Sequence, residues 1–391
     1  MRNNEFDVIV IGGGIIGMAT GYYLSKLGQR VLLLEKKYLG AGSTGRCIGG
    51  IRAQFSTETT IKVALESVRL FSEMEKEFGF SVEWAPSGYL FLAYNESQKQ
   101  SFLNVMELQQ SLGLDVRFFS AQEVKKQFPF INVDGSLGGT WCPTDGQADP
   151  FFVLKGYMLG MKKYGSMILT GEEVVGIDQL SRDKLKITCK SGSQFIAPKV
   201  LNAAGPNAYE VGKMVGLELS AEPERHEALI TEGVEYAKIP MIVDYRPDGC
   251  YFQQRLTGQI IGCYTPEQRV SGKSMDTTFE FLTEMSRRMI RIVPALENIT
   301  VLRQWAGSYT MTPDGNPIVD KTSVAGFYVS VAMCGHGFML GPALGRIMAK
   351  FMVKEQWDYD MSEFSFYRNF SIFHRGYRPF HLNSSSVFLR F

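Results

Sequence analysis

Several residues near the N-terminus carry types and spacing suited to one piece of chemistry. Gly12-Gly13-Gly14-Ile15-Ile16-Gly17 fits G-x-G-x-x-G. Gly12 permits a tight turn, Gly14 lets backbone N–H groups approach a pyrophosphate, and Gly17 lets a helix pack against a strand. Ile15 and Ile16 fill the variable positions of the motif, and the N-terminus of the helix that follows favours phosphate oxygens. Glu35 is placed to accept both hydroxyls of a ribose, and its charge disfavours a 2′-phosphate. Downstream, Arg52 is a guanidinium suited to a carboxylate, and His226, Tyr251 and His336 could hold or move a proton.

The elements that must position these groups are legible around them. The run 6–11 is β-branched and reads as a buried parallel strand, 18–27 as a helix stopped by Gly28, and 30–34 as a second strand ending at Glu35. Such a strand–turn–helix–strand–Glu unit predicts a dinucleotide site. The uncharged run 8–25 is not a signal peptide or a membrane span, because a basic flank is missing and glycines interrupt it. Where an NAD domain would resume its helix–strand alternation, residues 36–52 instead form a glycine- and hydroxyl-rich stretch containing Lys36, Ser43, Thr44, Arg46, Cys47, Gly49, Gly50 and Ile51. It reads as a segment running beside a long, extended FAD, or as a flexible loop. Val174 and the turn at Ala204-Gly205 complete the expected cofactor contacts.

Composition bounds the rest. With 391 residues, about two domains are expected, and a core can form without staples. A net charge of +1 gives no general electrostatic reason to expect nucleic acid or an anionic membrane as partner. Six scattered cysteines with no C-x-x-C fit neither a disulfide scaffold nor a zinc or iron–sulfur framework. No metal is expected, and a reducing cytoplasm is the expected compartment. The 40 glycines follow no collagen-like period, so they belong at particular backbone sites.

The chain resembles the glycine oxidase/D-amino-acid oxidase superfamily of FAD-dependent amine oxidoreductases, above all its dye-linked L-proline dehydrogenase and heteromeric sarcosine oxidase β subunits. The matching segments are GAGSTGRCIGGIRAQF at 40–55, WCPTDGQADP at 141–150, ERHEALIT at 224–231, WAGSYTMTPDGNPIVD at 305–320 and CGHGFMLGPALG at 334–345. The resemblance implies an α/β Rossmann-type FAD-binding domain interleaved with a mixed, largely antiparallel-sheet substrate domain. Residues 1–80, 150–215 and 325–370 are assigned to the first and 81–149 and 216–324 to the second, with 371–391 as a tail.

It further implies that Arg52 anchors the substrate carboxylate, although a surface ion pair is the plainer alternative. His226 and Tyr251 would line the substrate site, or His226 would be a satisfied structural histidine. Gly335, His336, Gly337, Phe338 and Met339 would turn beside the flavin, with the following helix aimed at it. Met339 stands where sarcosine oxidases carry a lysine that pairs with the carboxylate. Gly307 stands where monomeric sarcosine oxidases carry the cysteine that tethers FAD, and Ala148 where heteromeric ones carry a histidine that tethers FMN. FAD is therefore expected to be non-covalent.

The expected activity is dehydrogenation of a secondary amino acid, L-proline before sarcosine, to an imine. Electrons would pass to a non-oxygen acceptor or to a second flavin, an FMN at the interface with a partner subunit; homo-oligomerisation is also open. The alternatives are a peroxide-forming glycine or D-amino-acid oxidase, and an FAD-binding scaffold inactive without its partner. The basic, aromatic tail, including His374 and His381, is expected to be partly disordered, or to dock on a partner or on the protein's own site.

Overall fold

A computed structural model describes residues 4–370; the tail assigned to 371–391 lies outside the described residues. Its centre is a six-stranded sheet in the order Ile318–Lys321, Phe327–Val331, Lys199–Asn202, Val8–Ile11 (β1), Val31–Glu35 (β2), Met167–Thr170. All neighbours are parallel except the first two strands, which form an antiparallel hairpin. That hairpin brings Ile318–Lys321 into this sheet, ahead of the domain boundary expected at 325.

β1 and β2 are apolar throughout because both of their faces are covered. Val8, Val10, Val31 and Leu33 pack with the helices Ile15–Lys26 (α1), Pro150–Lys163 and Gly337–Lys354. Ile9, Ile11, Leu32 and Leu34 face the other way, against a three-stranded antiparallel sheet of Val174–Ser181, Lys184–Cys189 and Gln194–Ala197. α1 meets Gly337–Lys354 closely. A Cβ at Gly345 would collide with Ala19, and one at Gly341 with Ile15.

The second large element is an eight-stranded sheet in the order Val301–Met311, Glu222–Gly233, Gln259–Cys263, Tyr251–Gln254, Met241–Asp244, Tyr89–Ala93, Gly138–Cys142, Arg117–Phe119. It is antiparallel apart from the pairing of Met241–Asp244 with Tyr89–Ala93. The amphipathic helix Phe279–Ile292 buries Phe281, Met285, Met289 and Ile292 in this sheet's core. A short ribbon, Gly50–Ile51 with Gly146–Gln147, pins the glycine-rich stretch after β2 between the two sheets. Among the described residues, no helix is long and apolar enough to cross a membrane.

Candidate active site

A cavity of about 520 Å³ has walls drawn from the end of the six-stranded sheet, the 41–50 stretch and the eight-stranded sheet. At one end Gly12, Gly14, Ile15, Ile16, Glu35, Lys36, Val174, Ala204 and Gly205 form its wall. Gly12 has φ +114°, and a Cβ there would strike the Ala203 carbonyl. Gly17 sits beneath the turn and off the wall, where a Cβ would strike the Gly12 carbonyl. The Ile15 amide donates to Thr44 Oγ1 at 3.0 Å, which ties the helix start to the following loop. Glu35 accepts from the Gly13 amide through Oε2 and from the Lys37 amide through Oε1, both at 2.8 Å. Each oxygen keeps acceptor capacity for a further hydroxyl.

In the middle, Ser43, Thr44, Arg46, Cys47, Gly49, Gly50 and Gly307 form the wall. Ser43 Oγ donates to the Ser308 carbonyl at 2.6 Å, and Trp305 Nε1 to the Arg46 carbonyl at 2.9 Å. The Arg46 guanidinium turns back onto the carbonyls of Ala41 and Gly42, so it braces the loop. A Cβ at Gly307 would lie 3.0 Å from Arg46 Cβ, a contact that leaves little room for a larger residue. Burial pushes the Cys47 thiol up to about 12, which makes it a poor nucleophile. Ile51 is fully buried and lies behind the wall, paired with Gly146.

At the other end His226, Tyr251, Tyr309, Gly335, Gly337, Phe338 and Met339 form the wall. His226 is opposite Gly307 in the antiparallel register, which lets its ring stack on Tyr309 with centroids 3.9 Å apart. Tyr251 and Tyr309 share a hydroxyl–hydroxyl bond of 2.8 Å, and burial raises both phenols well above the usual range. His226 Nε2 lies 3.1 Å from Glu224 Oε1, so Nε2 carries a proton toward that carboxylate. Nδ1 has no partner among the described residues; nor do the hydroxyls of Ser308 and Ser330, whose residues also line the cavity.

Arg52 and His336 stand just off this wall, touching each other. Arg52 Nη1 donates to the Gln54 carbonyl, and its guanidinium lies 3.9 Å over the Phe55 ring. Its Nη2 is 3.3 Å from His336 Nε2. Arginine only donates, so Nε2 accepts and the imidazole proton sits on Nδ1. Burial, aided by the Arg52 charge, holds His336 down to about 3, and it is neutral at physiological pH. Burial also lowers Arg52 below its usual range. His336 caps Gly337–Lys354, so the positive end of an 18-residue helix meets the cavity through Gly337, Phe338 and Met339.

The glycines at the closest approaches, the amide-rich turn, the oriented Glu35 and the unpartnered polar atoms fit an adenine dinucleotide bearing a ring system at the His226 end. Tyr309, Glu224 and Trp305 belong to this site and were not singled out from sequence. Tyr309 and Trp305 lie in the 305–320 block and Glu224 in the 224–231 block, but nothing there distinguishes them until the His226–Gly307 register is known. Among the described residues, no group of acidic, His and Cys side chains could hold a metal ion.

Comparison with known proteins agrees with this geometry. Residues 7–351 match the DAO family, described as FAD dependent oxidoreductase. The sarcosine oxidase subunit beta of Rhizobium meliloti (strain 1021) is 29% identical over 358 residues, 90% of this chain and 85% of that one. The crystal structure of L-proline dehydrogenase from P. horikoshii superposes with a TM-score of 0.88 at 32% identity, covering 93% of this chain and 97% of that one. Glycine oxidase from Geobacillus kaustophilus shares the fold, with a TM-score of 0.85 at 22% identity over 94% of this chain and all (100%) of that one. The chain belongs to the DAO family of FAD-dependent oxidoreductases, and it binds FAD.

Proposed function

We propose that this member of the FAD-dependent oxidoreductase family dehydrogenates a secondary amino acid, L-proline in preference to sarcosine, to the corresponding imine. The observation that supports it best is a cation without a carboxylate partner just off one end of the cavity, and a histidine nitrogen without a partner on that end's wall, both among the described residues. Arg52 is half-buried, and no carboxylate lies within 4.0 Å of it among the described residues. His226 Nδ1 is buried and lacks a partner among the described residues. In this reading Arg52 binds the substrate carboxylate and His226 Nδ1 receives the amine proton, while Glu224 holds the ring. Tyr251, bonded to Tyr309, orients the bound amino acid. FAD, when bound, would supply the acceptor for the hydride that leaves the carbon next to nitrogen that becomes the imine carbon. The Gly337–Lys354 helix N-terminus favours the negative charge that follows.

The relatives that support this substrate class are the sarcosine oxidase subunit beta and the L-proline dehydrogenase, both named for amino acids with a secondary amine. Met339, an apolar side chain on the cavity wall, favours the ring of proline over a second cation for the carboxylate. Gly307 and Ala148 provide no side chain for a tether, so FAD is held non-covalently. Likeness to a subunit supports a partner subunit that takes electrons through an FMN, and six unpaired thiols suit a reducing cytoplasm. Dye reduction against oxygen uptake tests the reading. L-proline or sarcosine should reduce an artificial dye with little oxygen uptake. Oxygen uptake and peroxide with glycine or D-alanine, and no dye reduction with L-proline, would replace it with an oxidase.

A further inference from the structure

Asp145 is a completely buried carboxylate with no Lys, Arg or His within 4.0 Å among the described residues. Burying such a charge without a direct partner is costly, and the half-buried Arg52 guanidinium likewise has no carboxylate within 4.0 Å among the described residues. The two unpaired charges meet on one short segment. Asp145 Oδ1 accepts from the Ala53 amide at 2.8 Å, and Oδ2 from Gln54 Nε2 at 3.1 Å. Both oxygens face donors, the arrangement of an ionised carboxylate. Gln54 Nε2 also donates to the Tyr89 carbonyl at 3.2 Å, which fixes the orientation of its amide. The carbonyl of the same Gln54 accepts from Arg52. The Asp145 backbone is anchored in turn, because its carbonyl accepts from the Gly88 amide at 2.8 Å and its neighbour Gly146 pairs with Ile51.

We propose that Asp145 is a positioning residue that serves as the counter-charge of Arg52 at one remove, holding the guanidinium in place without occupying it. The inference rests on Arg52 being the carboxylate anchor. A direct ion pair would neutralise Arg52 and compete with the substrate. Holding the negative charge behind Ala53 and Gln54 stabilises the buried cation through space and leaves its donors for an incoming carboxylate. The segment 51–54 is then a clamp in which Asp145 fixes the backbone on either side of the Gln54 carbonyl.

The test is equilibrium binding of tetrahydrofuran-2-carboxylate, a proline-shaped acid with no amine to oxidise, to the flavin-loaded protein. Binding is followed by the shift in the flavin absorbance spectrum, with melting temperature and flavin content measured alongside. Asp145→Asn keeps the shape and removes the charge, leaving one oxygen to accept where two now face donors. It should keep flavin content and weaken the carboxylate roughly tenfold, the scale of a charge-assisted hydrogen bond. Gln54→Met, which removes one of the two bonds that tie Asp145 to the segment and leaves both charges, should weaken it about threefold, near the low end for one hydrogen bond. A folded, flavin-loaded Asp145→Asn protein that binds the acid as tightly as wild type overturns the inference. If that variant fails to fold, unchanged affinity in Gln54→Met overturns it instead. Equal affinity in wild type and Arg52→Ala would overturn the anchor reading itself, a separate result.

Discussion

Arg52 lies against Phe55 and His336 with no acid within 4.0 Å among the described residues, so its removal should reveal what it is for. Arg52→Ala is expected to raise the substrate KM about 100-fold, within the range for losing a buried charge contact, with a smaller change in kcat. Arg52→Lys should recover part of it, because an ammonium cannot make the bidentate contact. Steady-state kinetics with L-proline and dye checks both, and an unchanged KM in Arg52→Ala would remove Arg52 from the site. His336 gives a prediction about stability. Its folded pKa, about 3, lies below the ordinary value of 6.5, so between these values the unfolded chain binds the extra proton. Stability is therefore lost as pH falls from 6.5 towards 3, with a slope of up to one proton, about 1.4 kcal/mol per pH unit. Asp145 acts in the opposite sense between 3.8 and about 6, because burial raises its folded pKa and the native state takes the proton first. Comparing urea unfolding of wild type and His336→Gln isolates the histidine: the variant should lose less stability on acidification. Parallel profiles would mean that His336 takes up its proton equally readily in the native and unfolded states. At this scale the sequence singled out Arg52, His226 and His336 as candidates within blocks of matching residues, and Tyr251 by a matching position outside them. It could not expose Tyr309 or Asp145, which acquire meaning only from a strand register and a buried contact with segments far away in the chain.

The elements explain why the glycine turn tolerates so little. α1 begins directly under β1, and the space between the Gly12 carbonyl and Gly17 has no room for a methyl group. Gly17→Ala should cost about 1–3 kcal/mol through overpacking. Because the displaced backbone is the cofactor turn, flavin content should fall more than helix content. Flavin absorbance per protein and far-UV circular dichroism measure the two, and full flavin occupancy would contradict the placement. The order of the β1–α1–β2 unit was legible, since its apolar runs, glycines and Glu35 lie close together in the chain, but α1 starts at Ile15 and not at 18. The pairing of Ile318–Lys321 with Phe327–Val331 was not, because the expected boundary followed texture, and a hairpin joining a parallel sheet leaves little trace in texture.

For the whole molecule, two sheets from interleaved segments meet over one cavity, with the 40–55 stretch running between them. The glycine excess is placed by this arrangement. Many of those glycines stand where backbone, ring or loop approaches more closely than a side chain allows, as at Gly12, Gly50 and Gly335. Non-covalent binding of FAD, proposed from the missing side chain at Gly307, predicts that acid precipitation releases all flavin into the supernatant; flavin retained in the pellet would show a covalent bond. Substrate and acceptor are the features that composition and fold leave open, because relatives with one architecture are named for different amino acids. The most direct test is therefore anaerobic mixing of the flavin-loaded protein with L-proline, sarcosine, glycine and D-alanine, followed at the main flavin absorbance band. The expected result is rapid bleaching by L-proline, slower bleaching by sarcosine, and loss of both at the same concentrations in Arg52→Ala. Bleaching by glycine or D-alanine alone, or bleaching by L-proline that is unchanged in Arg52→Ala, would contradict it.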